Sequence, residues 1–99
     1  MIKPFNEPIQ EREYLRWLDT HMDTGYVANR WRDGQVRFHH ADCWTLTAQS
    51  NRKTTKQYSK LCGTNLRELQ GHVKNDWNSE DTIWCSKCGD RGEQTKKEN

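Results

Sequence analysis

The sequence predicts an α+β fold: a small single domain with an N-terminal helix, a short antiparallel sheet, a second helix and a C-terminal Cys-x-x-Cys turn. Three observations carry this. Apolar residues recur at helical spacing over 9–22 and again over 65–76. Between those stretches, Asp33-Gly34 separates two apolar-patterned arms, a strong short hairpin signal. Cys85-x-x-Cys88, followed by Gly89, then lets two sulfurs face one point. With 99 residues the chain has the length of one domain. Residues 1–89 form that domain, and the charged stretch 90–99, which has no apolar side chain, is expected to be a disordered tail.

In the first helix, IQEREYLRWLDTHM, Leu15, Leu18 and Met22 form a stripe, flanked by Tyr14, Trp17 and His21. Pro8 suits a helix start, acidic Glu7, Glu11 and Glu13 suit its dipole, and Gly25 follows as a stop. The hairpin spans 26–40, with Tyr26, Ala28 and Trp31 on one arm and Val36 and Phe38 on the other. Residues 43–48, CWTLTA, are read as a third strand with Trp44 and Leu46 on one face. The stretch 49–57 has no apolar side chain and is read as a solvated, mobile loop. Tyr58–Cys62 returns to the core. The second helix buries Leu66, Leu69 and Val73, with Thr64 as its expected cap. Residues 82–85 form a last short strand.

The hydrophobic fraction is only 31%, yet the chain holds five Trp, three Tyr and two Phe. A few large aromatic side chains are therefore expected to make the core. A domain this small buries a modest share of its surface, so a crosslink through metal or sulfur adds proportionately more stability. No apolar stretch is long enough to cross a membrane, and the N-terminal residues lack the apolar segment of a secretory signal. A reducing cytoplasm is the expected compartment, and in it four cysteines are more readily metal-bound than disulfide-paired.

The Cys85/Cys88 pair is half of a tetrahedral zinc site. The other half is drawn from Cys43 with His39 or His40, or from Cys43 with Cys62. On a strand, His39 and His40 point to opposite sides. If Phe38 faces the core, His40 shares its side, so Cys43, Cys85, Cys88 and His40 are the expected ligands. A bulge near Cys43 reverses that choice. Cys62, in the apolar context Leu61-Cys62-Gly63, also reads as a core thiol.

The tract Gly25-Tyr26-Val27-Ala28-Asn29, followed by His39-x-Ala41-x-Cys43 and Tyr58-x-Lys60-x-Cys62, is similar to small bacterial domains. Trp17 and Glu68-Leu69 fit the same likeness, which covers residues 14–75. It implies no activity, but it points to His39 as the histidine of interest.

Two enzymatic readings are weaker. Trp84-Cys85-Ser86-Lys87-Cys88 resembles the Trp-Cys-x-x-Cys motif of thioredoxin-like oxidoreductases. There the first cysteine caps a helix, which Gly89 and Gly92 oppose here. A histidine-metal nuclease needs a helix after His39-His40, and the sequence offers none. A non-enzymatic binding module is expected instead. Residues 51–75 carry six basic and one acidic group, and Arg52, Lys53, Lys56 and Lys60 are the candidate contacts to nucleic-acid phosphates. The alternative is a protein-interaction adaptor in which metal only holds the fold.

Overall fold

Asp33 and Gly34 turn the chain as their chemistry demands. Gly34 adopts φ of 93°, which side chains resist, and the Asp33 carboxylate accepts the Gln35 N–H at 2.9 Å. A computed structural model describes residues 1–48 and 51–88. The tail expected at 90–99 lies outside the described residues, as do Gln49, Ser50 and Gly89.

Five strands form one mixed sheet: β1 (Lys3–Phe5), β2 (Tyr26–Arg30), β3 (Val36–His40), β4 (Lys60–Gly63) and β5 (Thr82–Trp84). Their order is β1-β4-β2-β3-β5. All pairings are antiparallel except that of β3 with β5. The hairpin expected over 26–40 is therefore the sheet's centre, with Val27 opposite His39 and Ala28 opposite Phe38. Two helices cover it, α1 (Glu11–Thr20), entered through a 3-10 turn at Pro8–Gln10, and α2 (Leu66–Asp76). Asn65 rather than Thr64 caps α2, its side chain accepting the Glu68 N–H at 2.9 Å.

Both faces of the sheet are buried, because alternate residues serve two separate cores. On one face Phe5, Val27 and Cys62 meet Tyr14 and Leu18 of α1. On the other, Tyr26, Ala28, Phe38 and Leu61 meet Leu69 and Val73 of α2. The buried aromatics are Phe5, Tyr14, Tyr26 and Phe38, while none of the five Trp is fully buried.

Two expectations change. Residues 43–48 are not a strand: Trp44–Thr47 form a 3-10 turn, which buries Leu46 and turns Trp44 out to solvent. Nor does the whole stretch 51–57 stand in solvent. Thr54 is buried and its hydroxyl donates to the Glu7 carbonyl at 2.6 Å, while Arg52 pairs with Glu11 at 2.9 Å, so the segment is fastened to the start of α1.

Candidate metal centre

Two stretches distant in sequence deliver four donors to one point under α1. β3 ends at His40, and the turn that follows, with the Cys43 N–H donating to the His40 carbonyl, folds Cys43 back beneath His39. β5 runs beside β3, and the Cys85 N–H donates to the Phe38 carbonyl at 2.9 Å. Trp84 packs with Phe38 on the α2 face, so Cys85 faces the α1 side together with His39. A turn over residues 86–88 then returns Cys88 to the same point.

The donor atoms of His39, Cys43, Cys85 and Cys88 all lie within 4.8 Å of one another, and all four residues are buried, at 2–6% exposure. The Cys43 and Cys85 sulfurs are 4.0 Å apart. Two thiolates on one tetrahedral zinc, with bonds of about 2.3 Å, stand about 3.8 Å apart. The four cysteines are free thiols.

The cluster holds His39 where His40 is expected. As strand alternation requires, His40 shares the side of Phe38, stacked on Trp84 at 4.9 Å and beside Tyr26. The sheet, however, has a core on each face, and the sulfurs gather on the face opposite Phe38. Cys62 shares the α1-side core but is not in the cluster. Burial, only partly offset by Lys60, pushes its thiol well above the ordinary range, so it is an inert core residue.

The electrostatics suit a cation. Burial, helped by the Arg37, Lys60 and His40 charges, lowers His39 to about 4 and keeps the imidazole neutral, the form that ligates. Its Nε2 is buried with no hydrogen-bond partner among the described residues. Burial raises the Cys85 thiol, but the backbone N–H groups of Cys88 and Lys87 and the Thr45 hydroxyl outweigh it and bring Cys85 below its ordinary value. For Cys88 burial wins: the thiol is raised despite a backbone N–H from His40. A divalent cation among these sulfurs would be the largest local charge and would favour their thiolate forms.

Thr45 escaped the sequence reading. Its hydroxyl lies 2.9 Å from Cys43 Sγ, 3.8 Å from Cys85 Sγ and 3.4 Å from His39 Nδ1, a second layer that orients three donors. Only its position two residues after Cys43 could have signalled it.

No protein-family model matches this chain, and no curated protein or solved structure matches it either. No described helix is long and apolar enough to cross a membrane.

The basic residues expected to contact phosphate do not form one patch. Lys60 is 1% exposed, with its ammonium donating to the carbonyls of Lys53 and Tyr58, so it is a structural cation and not a surface contact. Arg52 is engaged by Glu11. Lys53 and Lys56 are exposed.

Proposed function

We propose that this chain is a non-enzymatic binding module whose fold is closed by one structural zinc ion, held by His39, Cys43, Cys85 and Cys88. The observation that carries this is the convergence of four buried donors, two from the C-terminal end of β3 and the turn after it and two from the segment that follows β5. Three thiolates and one imidazole in a tetrahedral set suit zinc above harder cations. Four protein donors complete its coordination and leave no position for a substrate, which favours a crosslinking role over a catalytic one. A reducing compartment such as the cytoplasm keeps such thiolates available.

The ligand class we assign first is single-stranded nucleic acid. Lys53 and Lys56 are free to meet phosphates, and the hairpin carries guanidinium groups over indole faces: Arg37 at 5.0 Å from Trp31, and Arg30 at 5.8 Å from Trp77. Native mass spectrometry of the full chain tests the metal: one zinc per chain is expected, and its absence from protein purified without chelator contradicts the reading. A salt titration of binding to single-stranded DNA and RNA tests the ligand. Affinity that falls steeply with salt supports it, and no binding at low salt removes it.

A further inference from the structure

The two ends of α1 differ in what lies beside them. At the C-terminal end, a cleft of about 420 Å³ opens between the helix and the 3-10 turn at Trp44–Thr47. Leu15 and Leu18 of α1, with Met22 just past its end, form one side; Ala41, Cys43 and Trp44 form the other. Trp44 is 67% exposed and Met22 46%, so two large apolar side chains stand in water at the mouth of an apolar recess. An indole left in solvent forgoes the burial that usually justifies its size, and Trp dominates binding hot spots when it is covered. The recess falls in the size range of ligand-binding clefts.

Its charge selects the occupant. Asp19 and Asp42 line the cleft, and Asp19 makes no ion pair among the described residues. Among the described lining residues the one cation, Arg52, is held by Glu11 at 2.9 Å. The cleft is thus apolar at its floor and acidic around it, which repels phosphate and suits an apolar side chain flanked by lysine or arginine. We infer that this cleft docks a basic, apolar peptide segment of a protein partner, with Trp44 covering the inserted side chain and Asp19 meeting a neighbouring cation.

Cys43 contributes both to the cleft wall and to the donor cluster. Docking therefore depends on the metal, a clause that rests on the zinc reading; the peptide recognition itself does not. Without the metal, Cys43 and Cys85 keep weak contacts through their sulfurs and the Thr45 hydroxyl, and the turn that presents Trp44 loosens.

The test is fluorescence anisotropy of the full chain with a labelled peptide of alternating lysine and leucine around one phenylalanine. Two controls accompany it: a charge-reversed peptide with glutamate for lysine, and a peptide with serine for the apolar residues. Saturable binding of the first alone is expected, weakened roughly tenfold or more by Trp44→Ala and again by Asp19→Lys. The zinc content of both variants should equal that of the wild type, which separates docking from folding. Equal binding of the charge-reversed peptide, or unchanged affinity in Trp44→Ala, overturns the proposal. So does concentration-dependent self-association lost in Trp44→Ala, which assigns the cleft to a second copy, or competition for the cleft by single-stranded DNA. A chelator arm isolates the metal clause: affinity lost on chelation and regained with zinc supports the coupling, while unchanged affinity removes the coupling and leaves the cleft.

Discussion

Cys43 and Cys85 are 42 positions apart in the chain, and their sulfurs are 4.0 Å apart in the fold. That contact ties the end of the hairpin to the parallel strand β5, which otherwise holds the sheet edge by three residue pairs. The metal we assign there is consequently a fastening for the C-terminal segment.

Chelation should loosen β5 before it unfolds the sheet's centre. Amide exchange at Thr82–Trp84 is expected to accelerate on metal removal, with Val27 and Leu61 still protected. At free zinc a thousandfold above its Kd, the stabilisation is about 4 kcal/mol. Chemical denaturation with and without chelator measures it, and coincident curves contradict the assignment.

The two neighbouring histidines should behave oppositely. His39→Ala removes a ligand, and zinc affinity should fall by orders of magnitude. His40→Phe keeps a ring against Trp84 and leaves the backbone N–H that reaches Cys88, so zinc content should be unchanged. Cobalt titration, read by thiolate charge-transfer absorption, distinguishes them. Loss of binding in His40→Phe with retention in His39→Ala reverses our ligand set.

Thr45→Val tests the second layer. The isosteric side chain keeps the packing but removes the hydroxyl that touches Cys43 and lies near His39. Metal affinity should fall roughly 10–100-fold with the fold intact by circular dichroism. An unchanged affinity shows that Thr45 only fills space.

Lys60 sets a pH signature away from the metal. Its ammonium is buried over the Tyr14 ring at 5.4 Å, and burial lowers it from 10.5 to about 8. Between those values the unfolded chain binds more protons than the folded one, so stability should rise with pH across that window, by up to about 3 kcal/mol. Below pH 8 the full cost of the buried charge remains. The comparison is with Lys60→Met, which lacks the titrating group; parallel stability profiles for the two proteins would rule this out.

Much of this architecture is legible in the chain. Leu15 and Leu18, or Leu69 and Val73, announce helices by spacing, and Asp33-Gly34 announces the hairpin. Strands β1 and β4 escape because they are three and four residues long, and β4 begins with a lysine that periodicity assigns to solvent. Lys60 is buried because two carbonyls in the adjoining loop receive it, a long-range fact no local pattern encodes. The exposed position of Trp44 has a similar origin: alternation treats 43–48 as a strand, whereas returning Cys43 to the donors requires a tight turn. His39 is hard to single out from the sequence for a related reason. Alternation separates the two histidines correctly, but only the tertiary fold tells which face collects the sulfurs.

X-ray absorption at the zinc edge tests the central claim most directly. One zinc per chain is expected, with three sulfurs at about 2.3 Å and one nitrogen at about 2.0–2.1 Å. Four sulfurs would bring Cys62 into the site in place of His39, and a shell of light atoms with no sulfur would leave the buried thiols without the role assigned to them here.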